Sequence, residues 1–330
     1  MTLTTSRKAA AIGAVAVALA LALTSCSGGG AQQTANTGGG GGNGDSGYKI
    51  AMITHETPGD TFWDKIRAGA EQAAKDTGVR LTYSNDPQAD KQAQLIQTAI
   101  DSKVDGIATT LVTPDALAGS VKAAQTAGIP LVGFNSGIDQ YKQLGALMYF
   151  GSDENLAGNS VGERLAGEGA KHPLCVIQAA GSVALEARCA GVKDKVAGTE
   201  NIQVNGTDDS AVVSSLQAKL AQDSSIDAIV TLGAPIAMDA LKAMNQANSK
   251  AKLVTFDLNQ DAAQAIKDGK IDFSVDQQPY VQGYMAVTAL YLYIKNGNDV
   301  GGGQPVLTGP SIVDKANIDK ILPFTKKNTR

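Results

Sequence analysis

Polar and aromatic side chains stand just past a series of short apolar runs in this chain. His55, Glu56, Asp60, Phe62 and Trp63 follow Ile50–Thr54. Asn135 follows Ile129–Phe134, and Arg188 lies beyond Leu174–Gln178. Asp257 ends Leu253–Asp257, and Gln277 lies beyond Ile271–Val275. Carboxylates accept hydrogen bonds in pairs, a guanidinium donates in a fixed fork, and carboxamides do both. The set is suited to gripping a small polar molecule. It has no phosphate cradle: no G-x-x-x-x-G-K-[ST] is present, and no G-x-G-x-x-G opens a helix after a strand. Nucleophile-elbow and triad spacings are also lacking. The only histidines, His55 and His172, are not at zinc-ligand spacing, so neither metal nor cofactor is expected.

The elements that must position these residues alternate regularly. Apolar runs at Ile50–Thr54, Val79–Tyr83, Gly106–Leu111 and Ile129–Phe134 read as buried strands. Phe62–Asp76, Lys91–Ser102 and Asp115–Ala127 read as helices, with apolar residues three and four apart, as in Leu95, Ile96, Ala99 and Ile100. Gly78 and Gly128 stand where left-handed C-caps are wanted, and Pro114 and Pro235 at first-turn positions. The same grammar repeats from Leu174 to Val275, and a long helix follows at Tyr280–Lys295. Strand alternating with helix predicts α/β architecture with doubly wound parallel sheets, here as two similar Rossmann-like lobes. In such sheets ligands bind beyond the carboxyl ends of the strands, where the residues above lie.

The first residues read differently. Arg7 and Lys8 precede an unbroken small and apolar run, Ala9–Leu23, of signal-peptide length. Leu23-Thr24-Ser25-Cys26 resembles the lipobox of bacterial lipoproteins, which implies a leader over 1–25 and lipid on Cys26. Residues 26–47 are Gly-rich and polar, a flexible tether that includes the glycine runs at 28–30 and 38–42. The expected location is outside the cytoplasm, anchored to the cell membrane. Net charge is −4 and falls further once Arg7 and Lys8 are lost, so a nucleic-acid partner is not expected. In an oxidising compartment Cys175 and Cys189 remain as an even pair. A disulfide between them is expected, with two buried free thiols as the alternative.

Several segments carry a likeness in their order. They are Asp60-Thr61-Phe62-Trp63 before Ile66-Arg67-Ala68-Gly69-Ala70, Val104-Asp105-Gly106-Ile107, and Ala127-Gly128-Ile129-Pro130 running to Asn135. Gly151-Ser152-Asp153, Arg188-Cys189-Ala190-Gly191, Thr255-Phe256-Asp257 and Asp276-Gln277-Gln278-Pro279 follow. From Tyr48 to Lys315 the chain resembles the periplasmic sugar-binding proteins of the ribose/galactose-binding type, the substrate-binding components of ABC importers. The resemblance implies the type I periplasmic binding protein fold, with two lobes joined by a three-stranded hinge. One lobe would comprise 48–151 plus 279–308, the other 152–278 plus 309–330. The chain would cross near Gly151, Gln277–Pro279 and Thr308–Pro310.

The resemblance also implies roles. Asp60 and Asp257 would accept from sugar hydroxyls, Arg188 would donate, and Asn135 and Gln277 would do both. Phe62 and Trp63 would stack on the C–H face, and His55 and Glu56 would extend the same loop. Where the ribose pattern has an Asp-Arg pair after the fourth strand, this chain has Asn135-Ser136, and Gly233 stands for the usual asparagine. The expected ligand therefore widens to another pentose, a polyol or an inositol-like ring. The implied partners are that ligand, a membrane permease and, through the lipid, the membrane; a monomer is expected. The alternatives are a receptor for a furanose-like autoinducer and a secreted carbohydrate-active enzyme using Asp60 and Asp257.

Overall fold

A computed structural model describes residues 45–330. The leader, Cys26 and nearly all of the tether lie outside the described residues. The first lobe runs β1 (Lys49–Thr54), α1 (Phe62–Thr77), β2 (Arg80–Asn85), α2 (Ala89–Asp101), β3 (Gly106–Thr110), α3 (Pro114–Thr126), β4 (Leu131–Phe134), α4 (Tyr141–Leu144) and β5 (Tyr149–Ser152). The second runs α5 (Glu154–Gly167), β6 (Pro173–Ile177), α6 (Val183–Lys195), β7 (Glu200–Gln203), α7 (Asp209–Gln222), β8 (Ala228–Thr231), α8 (Ala234–Ala247), β9 (Lys252–Phe256), α9 (Gln260–Lys267) and β10 (Phe273–Asp276). The chain then returns with α10 (Pro279–Asn296) and β11 (Val306–Gly309), and crosses again into β12 (Ser311–Asp314) and α11 (Ile318–Thr325).

The two sheets have the same plan. Strand order is β11-β5-β4-β3-β1-β2 in one and β12-β10-β9-β8-β6-β7 in the other. Pairing is parallel throughout, except that β12 runs antiparallel to β10. The alternation predicted two such doubly wound lobes, and the arrangement is the type I periplasmic binding protein fold that the resemblance implies. Both faces of each sheet are covered, so the central strands are apolar on both sides: Ile50, Met52 and Ile53, or Ile229 and Val230, are fully buried. Each such side chain contributes about 1.5–3 kcal/mol by leaving water. Gly78 and Gly128 adopt the left-handed conformation at helix ends. Cys175 on β6 and Cys189 on α6 form a disulfide, with Cα atoms 5.8 Å apart. Among the described residues no helix is long and apolar enough to cross a membrane.

Two helix pairs approach with backbone against backbone. A side chain at Gly69 on α1 would collide with the Tyr280 carbonyl, and one at Gly283 on α10 with that of Ile66. The second lobe repeats this between α6 and α5: Gly191 faces the Asn155 carbonyl, and Gly158 that of Arg188. The helices α10 and α5, each of which leaves a crossing, are thereby fixed to α1 and α6, the helices that follow β1 and β6.

The crossings are short and tied together. Ser152 still belongs to β5 and α5 begins at Glu154, so the first crossing falls at Asp153, the last residue of the Gly151-Ser152-Asp153 segment. Gly309 pairs with Ser152 in the first sheet, so the third falls at Pro310, within the Thr308–Pro310 segment. At the second crossing Gln278 Nε2 donates to the Thr308 carbonyl (2.7 Å). Arg330 reaches back to the same place, donating to Asp276 Oδ2 (2.5 Å) and Gln278 Oε1 (3.3 Å).

Candidate functional site

Asn135 directly follows β4 and Asp257 directly follows β9, at equivalent places in the two sheets. Both have positive φ, 65° and 64°, and each backbone N–H is held 2.9 Å from a carbonyl of the next strand, Phe150 or Val275. Among residues with side chains, Asn and Asp enter this conformation most readily. The backbone therefore selects the two residue types that can also present hydrogen-bonding groups, and both side chains are buried.

Gln277, in the second crossing, joins them. Its Nε2 donates to Asp257 Oδ1 (2.9 Å), and its Oε1 accepts from Asn135 Nδ2 (3.2 Å). Gln282 on α10 adds Nε2 to Gln277 Oε1 (2.8 Å) and to Thr308 Oγ1 (3.1 Å). The Thr308 hydroxyl donates to the Gln277 carbonyl (2.7 Å). One chain of donors and acceptors thus runs from the first lobe through the hinge into the second.

Arg188 extends it. The guanidinium is buried and forks onto Glu154, Nε to Oε2 at 2.6 Å and Nη2 to Oε1 at 3.2 Å. Nη1 donates to the Leu232 carbonyl (3.0 Å) and lies 3.8 Å from Asp257 Oδ2. Its plane sits 4.6 Å from the centre of the Phe256 ring. Burial works against this charge, but Glu154 and then Asp257 hold its pKa above the ordinary value. Burial raises Glu154, with Arg188 opposing. Burial also pushes the Asp257 carboxyl up to about 7, against the pull of Arg188 and the Gln277 hydrogen bond.

On the facing lobe, Phe62 and Trp63 are both buried and belong to its core; their rings meet edge to face at 5.1 Å. Trp63 also meets His55 edge to face at 4.7 Å. His55 Nδ1 lies 2.8 Å from the Thr110 hydroxyl, which itself accepts from Gln92 Nε2 (3.0 Å). Burial lowers the His55 pKa to about 3, so the ring is neutral at ordinary pH. Asp60 Oδ1 accepts from the Phe62 N–H (3.0 Å) and so helps to start α1; burial raises its pKa, with that hydrogen bond opposing.

Glu56 is placed otherwise than its loop suggested. Its carboxylate takes Arg67 Nη2 (3.0 Å), Tyr83 OH (3.0 Å) and Asn85 Nδ2 (2.9 Å), all within its own lobe. A carboxylate so engaged is a brace for the β1–α1 loop, and it makes no bond to the chain through Gln277.

Four residues at the site escaped the sequence reading: Glu154, Gln282, Thr308 and Lys65. Lys65 carried a signal, since it lies on the buried stripe of α1 with Phe62, Ile66 and Gly69. Glu154 meets its partner only through the α5–α6 contact. The lobes themselves touch directly: the Val183 N–H at the start of α6 donates to the Val112 carbonyl after β3 (3.4 Å). At the opposite end of the second sheet His172, Glu200 and Asp223 come together, and the ammonium of Lys219 is bonded to both carboxylates.

This geometry, with two matching α/β lobes shut on a buried polar chain, can be set beside known proteins. Residues 50–299 match the family described as the periplasmic binding protein domain. The chain belongs to that family. A carbohydrate transporter from Acidothermus cellulolyticus 11B, solved in complex with myo-inositol, is 52% identical. It superposes with a TM-score of 0.85 over 86% of this chain and 99% of the other. The xylose/arabinose-binding protein XylF of Sulfolobus acidocaldarius is 27% identical over 83% of this chain and 73% of its own length. The ribose import binding protein RbsB of Bacillus subtilis is 26% identical, over 72% and 79%. The likeness to sugar-binding components of importers, read from the sequence motifs, is thus found in whole-chain comparison. For a periplasmic binding protein the work of the site is to hold a ligand, and membership implies a place outside the cytoplasm.

Proposed function

We propose that this periplasmic binding protein captures a neutral polyhydroxylated ring, myo-inositol or a closely related cyclitol or monosaccharide, and hands it to an ABC import permease. Asn135, Arg188, Asp257 and Gln277 would take the hydroxyls, His55 would offer a ring nitrogen, and Phe62 and Trp63 would line the C–H face. Lipid on Cys26 would keep the body, a monomer, at the membrane.

The observation that carries this reading is the polar chain that spans both lobes and the hinge, hydrogen-bonded from Asn135 through Gln277 to Asp257 and continued to Arg188 by an ion pair. A ring bearing hydroxyls on every side both donates and accepts, as this chain does. The charges oppose one another in sign, Arg188 against Glu154 and Asp257, which favours a neutral ligand over an ionic one. The myo-inositol complex of the 52% identical protein supports a cyclitol in particular.

Calorimetric titration with myo-inositol, D-ribose, D-xylose and D-arabinose tests it, with emission of the single tryptophan, Trp63, read in parallel. Saturable binding is expected, tightest for myo-inositol. Silence across the panel in both readouts would refute the reading. Cys26→Ala is expected to release the protein from the membrane fraction.

A further inference from the structure

Lys65 is a buried cation with little to hold it. Only 1% of its surface is exposed, and among the described residues its hydrogen-bond partner is the Thr61 carbonyl, 3.0 Å from Nζ. An ammonium has three N–H donors. Among the described residues no carboxylate lies within ion-pair distance of it. The charges that favour its protonated form are Asp257 of the opposite lobe, then Asp60, Asp64 and Asp276.

Its direction matters. Nζ reaches back one turn toward the start of α1, which is the cleft end of the lobe. A cation there also opposes the helix dipole. Burial and the dipole both disfavour the charge, and a single backbone carbonyl is a small return for it. A methionine or leucine would fill the same volume on the Phe62–Ile66 stripe without that cost.

We propose that Lys65 reads one ligand hydroxyl, donating to it from the first lobe while the same hydroxyl donates to Asp257 of the second. The inference rests on the polyol reading above. A hydroxyl is the group that suits the place: it accepts from an ammonium and gives its proton to a carboxylate. Asp257 has Oδ1 engaged by Gln277 and Oδ2 turned toward Arg188, so each oxygen keeps acceptor capacity for one more donor. The bridge makes that hydroxyl a condition of tight closure, and Lys65 a determinant of which ring positions are recognised.

The test compares wild type, Lys65→Met and Lys65→Arg with myo-inositol and a set of monodeoxy-inositols, by calorimetry, with thermal unfolding of each ligand-free variant. Lys65→Met is expected to weaken myo-inositol binding at least tenfold. One monodeoxy-inositol, lacking the hydroxyl that Lys65 reads, is expected to bind wild type and Lys65→Met equally. Lys65→Arg is expected to change the ranking of the deoxy compounds. A merely structural lysine would lower the melting temperature of Lys65→Met and weaken every ligand by the same factor, and that result would overturn the proposal. An unchanged affinity for myo-inositol would do so as well. Failure of wild type to bind any inositol or sugar is a separate outcome. It removes the polyol reading, and this proposal with it.

Discussion

Replacing Glu154 by glutamine takes the charge from the fork that holds Arg188 while keeping its size. Both side chains are about 4% exposed, so water cannot replace the lost partner. Removing one member of a buried pair costs about 3–5 kcal/mol. Glutamine keeps one acceptor for the guanidinium, so a loss of about 2–3 kcal/mol is expected. For a protein of this size that corresponds to a fall in melting temperature of about 3–5 °C. A second effect follows from geometry. Arg188 Nη1 already lies 3.8 Å from Asp257 Oδ2, and without Glu154 the guanidinium closes that gap and occupies the carboxylate. Affinity for the polyol should fall at least tenfold, and Glu154→Gln combined with Asp257→Asn should lose less than the two changes summed. Denaturant unfolding and calorimetric titration of the four proteins measure both effects. A Glu154→Gln protein within about 0.5 kcal/mol of wild type and with unchanged affinity would refute the claim that the pair positions Arg188.

Other outcomes are equally definite. Because burial raises Asp257 from an ordinary value near 3.8 to about 7, the folded protein favours its protonated form. That contribution is complete below the unfolded pKa and is lost as pH rises through about 7; Asp257→Asn should therefore gain thermal stability relative to wild type between pH 5 and pH 8, read by circular dichroism. Gly191→Ala, which thrusts a methyl against the Asn155 carbonyl, is expected to cost about 1–3 kcal/mol in unfolding and to weaken binding by parting Glu154 from Arg188. Arg330→Ala strands the buried Asp276 carboxylate at the hinge; it should lower the unfolding midpoint, and adding Asp276→Asn should restore most of the loss.

The alternation of strand and helix made the lobes legible, because buried strands and amphipathic helices have different periods. The post-strand rule then led to Asn135, Asp257 and Gln277, since chain order alone fixes which residues end a strand. Other parts were hidden for physical reasons. Tyr149–Ser152 is a four-residue strand containing a glycine, too short to show a period. The helix at Glu154–Gly167 carries Gly158, Gly162 and Gly167, which look like breakers; two of them are there because the α6 backbone lies against them. Glu154 and Glu56 are indistinguishable as letters. One meets an arginine 34 residues away in sequence, while the other is taken by Arg67, Tyr83 and Asn85.

The glycine-mediated helix contacts make each lobe a stiff jaw, and the three short crossings make a pivot. Asn135 and Asp257 follow strands one place in from the pivot, whereas Val112 and Val183 follow strands two and three places in. With strands about 4.8 Å apart, the lever arm to the tips is about two to three times the arm to the ligand. An obstruction of about 1 Å at Asn135 and Asp257 would part the tips by about 2–3 Å on the same spacing. That is enough to break the Val183–Val112 hydrogen bond, which is 3.4 Å long when shut. A substituent only slightly too large is therefore converted into a visibly gaping molecule. Any permease that feels the tips would judge ligand size with a gain the binding residues themselves do not possess.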